Sequence, residues 1–179
     1  MSQIGSVYGG ALYSLCKEED LCTSVLQQIR VLEQSFADTP EYLRLLCAPN
    51  IPVQERCQIL DECFRDQVHG YVLNFLKILT EKGLARQFGA CVSAYTELYN
   101  QDHNILPVTA VTAVALTQEQ SARLTEKLSK LTGKNAQLTN RVDPKCLGGV
   151  LLDYDGKRVD GSVATRLDTV RDLLKNTVL

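Results

Sequence analysis

The apolar periodicity of the sequence changes near residue 105, and this change limits the folds that are open to the chain. Before it, apolar residues recur every three or four positions, as they do along one face of an α-helix. After it, β-branched residues dominate a run that contains Pro107, which is typical of a strand. We therefore predict two domains with different secondary structure, residues 1–104 and residues 105–179.

The first domain is predicted to be all-α. Six amphipathic segments are separated by helix-ending signals at Thr39-Pro40, at residues 49–52 and at Gly83. The predicted inward face of the first segment consists of Ile4, Val7, Ala11, Leu12 and Leu15. Those of the second and fifth segments include Val25, Ile29, Leu32, Val72, Phe75 and Leu79. Because such segments bury an apolar stripe by packing on one another, we expect a six-helix bundle.

The second domain is predicted to mix strands and helices. Thr117 and Gln120 have the spacing of a capping box at the start of a helix that ends at Gly133. Asp155-Gly156 is a strong signal for a hairpin between two strands. Ser162 is predicted to cap a last helix, whose apolar face is Val163, Leu167, Val170 and Leu174. The element order is then β-α-β-β-β-α, a small α+β domain.

Charge is distributed unequally between these domains. Residues 1–104 hold 8 Lys and Arg against 13 Asp and Glu, whereas residues 105–179 hold 11 against 8. The first domain therefore carries −5 and the second +3. The total of −2 lacks the basic field of a protein that coats nucleic acid, so we expect no nucleic-acid partner.

Hydropathy gives no sign of a membrane segment. No stretch approaches the roughly 18 uninterrupted apolar residues that a membrane span needs. The first twenty residues also lack the basic start and apolar block of a secretory signal. We expect a cytosolic chain with no direct insertion into a membrane.

Seven cysteines are the most unusual feature of the composition. Their odd number, in a chain with no export signal, argues against a disulfide framework. Cys16 and Cys22 are separated by five residues, as are Cys57 and Cys63, so the close pairs of a zinc site are missing. We interpret the thiols as small buried hydrophobic groups, with no metal or other cofactor bound.

A thiol enzyme centred on Cys146 is an alternative from a different class. Only His69 and His103 are available as a base, and both lie in the first domain. No constellation of residues indicates an active site, so a non-catalytic interaction protein is favoured.

Two charged clusters of the second domain have simpler interpretations. Asp153, Asp155 and Asp160 are expected to be turn residues of a solvated hairpin rather than an acid–base or cation site. Lys127, Lys130 and Lys134 are expected to form the solvated side of a helix, although they also suit an anionic partner.

Four stretches resemble, in order over the whole chain, the delta subunit of bacterial F-type ATP synthase, whose mitochondrial counterpart is the oligomycin-sensitivity-conferring protein. They are residues 7–13 (VYGGALY), 74–79 (NFLKIL), 142–150 (VDPKCLGGV) and 159–163 (VDGSV). The Asp-Pro-x-x-x-Gly-Gly and Asp-Gly-Ser pair is the most specific part. The family usually has Ala where this chain has Gly9, a change that costs helix propensity of up to about 1 kcal/mol.

The resemblance implies a function in the peripheral stalk. A six-helix N-terminal domain would sit on the catalytic head and bind the N-terminal helical segment of an alpha subunit. A C-terminal domain would bind the C-terminal ends of the paired b subunits. One copy per complex would hold the alpha/beta hexamer against the rotor during proton-driven ATP synthesis, on the cytoplasmic face of the bacterial cell membrane, with no catalytic residues of its own.

By this resemblance, the first and fifth helices are expected to form the groove for the alpha-subunit helix. A helix in a groove needs apolar anchors and a few polar groups that fix its register. Tyr8 offers an aromatic ring with a hydroxyl, Asn74 fixes orientation and Ile78 fills a pocket. The predicted partner-binding residues are Tyr8, Ala11, Leu12, Asn74, Phe75 and Ile78. Ala11, Leu12 and Phe75 fit the core stripe of the bundle equally well, whereas the other three lie off the main stripes.

The family motif of the second domain is expected to be mainly structural, serving backbone packing at its glycine pair and a turn with a helix cap at Asp-Gly-Ser. Its residues are Asp143, Gly148, Gly149, Asp160, Gly161 and Ser162. The charge of +3 suggests that this domain faces an acidic partner. A second interpretation of the whole chain is a generic two-domain adaptor that binds some other helix in the same groove.

Overall fold

The computed structural model describes residues 3–144, 146, 148–154 and 156–161. The chain divides into two compact units between Tyr99 and Asn100. A helical region is followed by a region built on a small sheet, which confirms the predicted fold class at this level. The predicted last helix, from Ser162 onwards, lies outside the described residues.

Helices make up the first unit. They are α1 (Gln3–Glu18), α2 (Cys22–Asp38), α3 (Pro40–Leu46), α4 (Val53–Phe64), α5 (Gly70–Glu81), a 3-10 turn (Ala85–Gln87) and α6 (Phe88–Asp102), the last of which continues past the division between the units. Pro40 lies in the first turn of α3, where its missing N–H costs no hydrogen bond.

Aromatic contacts show that α6 is central to the first unit. The ring of Phe88 packs edge-on against Phe36 of α2 at 5.3 Å between centroids, and lies 6.2 Å from Phe75 of α5. The ring of Tyr95 packs edge-on against Tyr13 of α1 at 5.2 Å. Two side chains of α6 therefore contact three other helices, and the core forms around them.

The second unit is a sheet with one described helix. Its elements are β1 (Ile105–Thr112), α7 (Gln118–Thr132), β2 (Asn135–Val142), β3 (Val150–Tyr154) and β4 (Lys157–Asp160). The strands lie in the order β2-β1-β3-β4, with β1 and β2 parallel and the other two pairs antiparallel. Leu128 of α7 packs on the alternating residues Leu106, Val108 and Ala136, so α7 covers one face of this sheet.

Local signals in the second unit agree with the sequence. The hydroxyl of Thr117 accepts from the backbone N–H of Gln120 at 3.2 Å, and the Gln120 side chain accepts from the Thr117 N–H at 3.0 Å, which confirms the capping box. Gly133 ends α7 as predicted. β3 and β4 form the predicted hairpin, with Tyr154 opposite Lys157, although Asp155 lies outside the described residues.

Candidate helix-binding surface

The buried face of α1 is made largely of small residues. It consists of Gly5, Gly9, Leu12, Tyr13 and Cys16. A Cβ atom on Gly5 would lie 2.6 Å from the carbonyl oxygen of Ala90, and one on Gly9 would lie 2.4 Å from that of Cys91. The backbone of α1 therefore lies directly on the backbone of α6, at a distance that only glycine permits.

The side of α1 opposite these two glycines carries apolar residues that face outward. Val7 is 62% exposed, Leu15 is 51% exposed, and Ala11 between them is also exposed. The prediction that Val7 and Leu15 face the core is wrong, because α1 meets α6 through Gly5 and Gly9 and these two residues lie on the other side of the helix. Ala11, which is predicted both for the core stripe and for the partner groove, lies on the exposed side. Ile4 is partly exposed, and of the predicted inward face only Leu12 is fully buried. We call Ile4, Val7, Ala11 and Leu15 the α1 stripe.

Tyr8 lies at the edge of the α1 stripe. It is half-buried and packs against the core of the first unit, leaving part of its ring at the surface. One side of the tyrosine is therefore fixed by the protein and the other is open to a partner.

On α5, the predicted residues separate into surface and core. Asn74 is exposed and Ile78 is 44% exposed, whereas Phe75 is buried against Phe88. Asn74 and Ile78 are four residues apart and so lie on one side of the helix. Of the six predicted partner-binding residues, Leu12 and Phe75 belong to the core of the first unit.

The end of α1 is tied to the start of α5. The hydroxyl of Tyr71 donates to a carboxylate oxygen of Glu19 at 2.6 Å, and this bond raises the pKa of the Tyr71 phenol. His69 caps α5, because its side-chain Nδ1 accepts from the backbone N–H of Tyr71 at 3.3 Å. The backbone N–H of His69 donates to the side-chain oxygen of Gln28 at 2.8 Å. These hydrogen bonds hold the end of α1 and a side chain of α2 against the start of α5.

Sequence reasoning missed Val7 and Leu15 as surface residues. Their apolar character at helical spacing is equally typical of a core face, which is what the periodicity predicts. The signal that separates the two is the pair Gly5 and Gly9, four residues apart, since two glycines on one side of a helix indicate close approach of another backbone.

The family motif of the second unit organises the start of β3. The backbone N–H of Asp143 donates to the carbonyl oxygen of Thr112 at 2.9 Å, and that of Gly161 donates to the carbonyl oxygen of Val150 at 3.1 Å. Gly148 and Gly149 have φ angles of 151° and 87°, a region that strongly favours glycine. Asp160 pairs with Leu151 across the hairpin, and Ser162 lies outside the described residues. The hydrogen bonds of Asp143 and Gly161 given above join backbone atoms, and the structural role of the motif stays a prediction.

The cysteines are free thiols, and only some of them are buried. Cys16, Cys22 and Cys91 lie in the core, where burial raises the pKa of Cys16 and Cys91. The prediction of buried thiols is wrong for Cys63, which is exposed because it lies on the outer side of α4. Cys47, Cys57 and Cys146 are partly exposed.

Neither a candidate metal site nor a membrane-spanning helix lies in the described part of the chain. No group of three or more His, Cys, Asp or Glu side chains there is placed to hold a metal ion. No described helix combines the length and the apolar character needed to cross a bilayer.

Comparison with solved structures identifies a similar fold. A chain of the Toxoplasma gondii mitochondrial ATP synthase hexamer, solved by cryo-electron microscopy, superimposes with a TM-score of 0.75. The match covers 97% of this chain and 98% of that one, at 19% sequence identity. At this identity the comparison shows a shared fold.

Sequence comparisons give the family. The ATP synthase subunit delta of Alkaliphilus oremlandii is 34% identical over 172 residues, covering 96% of both chains. That of Lactobacillus johnsonii is 33% identical over 173 residues, covering 96% of this chain and 94% of its own length. The family model described as ATP synthase delta (OSCP) subunit matches residues 4–174. The chain therefore belongs to the ATP synthase delta (OSCP) subunit family.

Proposed function

We propose that the α1 stripe, together with Tyr8 of α1 and with Asn74 and Ile78 of α5, binds the N-terminal helix of an ATP synthase alpha subunit. Family membership makes the chain a non-catalytic peripheral-stalk subunit of the F-type ATP synthase, and the partner on this surface is our inference. The observation that carries it is the exposure of Val7 and Leu15 on a helix whose other side is fully packed.

The spacing of the α1 stripe suits a helical partner. Val7, Ala11 and Leu15 follow one another at intervals of four, so they form one ridge along the helix. A second helix can seat its own apolar ridge beside this one, as amphipathic helices do in grooves. Ala11 in the middle of the ridge leaves room for a larger side chain of the partner.

Apolar burial would supply most of the binding free energy. Covering a side chain such as Leu15 or Ile78, each about half exposed, contributes about 1 kcal/mol. Asn74 and the hydroxyl of Tyr8 then offer hydrogen bonds that fix the register of the partner. Leu12 and Phe75 act indirectly, by holding Tyr8 and Ile78 in place from the core.

We further propose that the second domain, from residue 105, binds the C-terminal ends of the b subunits. Its predicted charge of +3 supports an acidic partner. In this proposal the first domain is a complete six-helix bundle, and the helix predicted after Ser162 completes a β-α-β-β-β-α domain. One copy of the chain then lies at the cytoplasmic face of the membrane, held there only through other subunits.

Two binding sites on two units give the chain a mechanical function. The alpha subunit belongs to the hexamer that experiences torque, and the b subunits are anchored in the membrane. A chain bound to both transmits force without performing chemistry, so slow dissociation at each site matters more than fast association. The chain would thus keep the hexamer from turning with the rotor.

Reconstitution tests this proposal. Alpha/beta hexamer, the soluble segment of the b subunits and the purified chain are mixed and separated by size-exclusion chromatography. We expect a complex that holds all three, and no association of hexamer with b segment when the chain is omitted. Failure of the chain to join hexamer and b segment would contradict the proposal.

A matched substitution separates this function from a thiol enzyme. Cys146→Ser removes the candidate nucleophile and should leave assembly of the complex and ATP-driven proton pumping of reconstituted membranes unchanged. Loss of pumping with assembly intact would instead favour chemistry at Cys146.

A further inference from the structure

The C-terminal end of α7 exposes an apolar side chain among lysines. Leu131 is 83% exposed, more than any other large apolar residue in the described part of the chain. Lys127 lies one turn before it, Lys130 is its neighbour, and Lys134 follows the end of the helix. We call Leu131, Lys127, Lys130 and Lys134 the α7 basic patch.

Ion pairs within α7 leave part of this charge uncompensated. Arg123 pairs with Glu119 and Lys130 pairs with Glu126, each at 2.6 Å. Neither Lys127 nor Lys134 has a carboxylate within ion-pair distance among the described residues. Within the part of the chain that the structure describes, the patch therefore presents two cationic side chains without an ion pair beside an exposed leucine.

An exposed leucine distinguishes this patch from an ordinary solvated helix face. Lysines alone are typical of a solvated helix face. Covering the exposed leucine would remove apolar surface from water, which is favourable. Interfaces commonly combine one buried apolar anchor with a rim of charges. The α7 basic patch has this composition, with Leu131 as the anchor and the lysines as the rim.

We propose that the α7 basic patch binds an acidic helical segment of the b subunits, with Leu131 covered by an apolar residue of the partner and Lys127 and Lys134 paired with its carboxylates. This rests on the proposed function, which gives the second domain these partners. Charge complementarity selects the occupant, because unpaired lysines attract Asp and Glu and repel basic surfaces. A single leucine is too small an anchor to favour a lipid bilayer as the partner.

Binding of the purified full chain to the soluble b-subunit segment tests the patch. Leu131→Ser and Lys127→Glu should each weaken the affinity by about tenfold or more, as loss of an anchor or reversal of a paired charge does. Arg141→Glu is the control, since it makes the same charge change at an exposed position on the sheet face away from α7. Its affinity should stay within about twofold of the unaltered chain.

Salt dependence gives a second readout. Raising the ionic strength should weaken binding of the unaltered chain and of Arg141→Glu, and should weaken binding of Lys127→Glu less, because that variant has already lost the ion pair. Unaltered circular dichroism and urea midpoints are expected for all three variants, since the substituted side chains are exposed.

Three results would overturn the proposal. If Leu131→Ser and Lys127→Glu bind like the unaltered chain, the b subunits lie elsewhere on the second domain and the proposed function stands. If the unaltered chain itself does not bind the b segment, the proposed function fails as well. If Lys127→Glu loses only co-sedimentation with anionic phospholipid vesicles, the patch is a lipid site.

Discussion

A Cβ atom on Gly9 of α1 would lie 2.4 Å from the backbone oxygen of Cys91 on α6. This contact sets the rotation of α1, because the helix can approach α6 only through its glycine side. The apolar residues on the other side are then left at the surface, where they form the α1 stripe. The proposed binding surface is thus a consequence of packing between two backbones.

Gly9→Ala should destabilise the chain, although helix propensity favours Ala by about 1 kcal/mol. The added methyl group would meet a backbone atom, which cannot move aside as a side chain can, so α1 would have to shift. We expect a net loss of about 1 to 3 kcal/mol in the free energy of unfolding, measured by urea denaturation.

Gly10→Ala is the matched control for this substitution. A Cβ atom there has its nearest neighbour, a methyl group of Leu98, at 3.8 Å, which is an ordinary contact. We expect stabilisation of up to about 1 kcal/mol from helix propensity. Equal effects of the two substitutions would show that α1 does not lie on α6 as described.

His69→Ala should weaken the start of α5. The substitution removes the Nδ1 acceptor of the Tyr71 N–H, leaving a helix-terminal donor without its cap. We expect a loss of about 0.5 to 2 kcal/mol in the free energy of unfolding. His69→Ser restores a capping oxygen and should recover most of that loss. A Ser variant no more stable than the Ala variant would mean that His69 acts through packing instead.

Alkaline pH should destabilise the helical unit. Burial raises the pKa of the thiols of Cys16 and Cys91, and burial with a hydrogen bond to Cys16 raises the pKa of the Tyr95 phenol. In the unfolded chain these groups lose protons from about pH 8.5 for thiols and about pH 10 for the phenol. The folded state then holds more protons than the unfolded state, so the free energy of unfolding falls as pH rises.

Urea denaturation under reducing conditions between pH 7.5 and 9.5 measures this slope. Each buried thiol adds at most about 1.4 kcal/mol per pH unit. Cys91→Ala should make the decline shallower, whereas Cys63→Ser should not, since the Cys63 thiol is exposed. If the free energy of unfolding falls as steeply with pH in the Cys91 variant as in the unaltered chain, the pH dependence comes from other groups.

Much of the helical unit could be predicted from periodicity. The predicted inward residues of α2 and α5, such as Val25, Ile29, Val72 and Leu79, are buried because these helices pack through branched and aromatic side chains. The same rule failed for Val7 and Leu15, because α1 meets α6 through Gly5 and Gly9 and the two apolar residues lie on the other side of the helix. Periodicity locates an apolar face but does not decide whether the protein or a partner covers it.

The sheet shows a second limit of prediction from sequence: the pairing of distant strands. The capping box at Thr117 and the hairpin before Lys157 depend on residues close in the chain, and both were predictable. The parallel pairing of β1 with β2, which places Leu106 beside Ala136, depends on contacts across α7. Local patterns therefore predict the helices and strands. Long-range packing decides which strands pair with each other and leaves Leu131 exposed.

The proposed function requires that α1 and α5 bind the alpha-subunit helix through exposed apolar side chains. Calorimetric titration of the full chain with a synthetic peptide of the alpha-subunit N-terminal helix measures this binding. Val31 of α2, which is 65% exposed, provides a control of matched character away from the α1 stripe.

We predict that Tyr8→Ala and Ile78→Ala weaken peptide binding by about 1 to 4 kcal/mol each, and that Leu15→Asp abolishes it. Val31→Asp should bind the peptide with unchanged affinity. Unchanged binding by the Tyr8, Leu15 and Ile78 variants, or a loss confined to Val31→Asp, would contradict the claim and place the alpha-subunit helix on another face of the molecule.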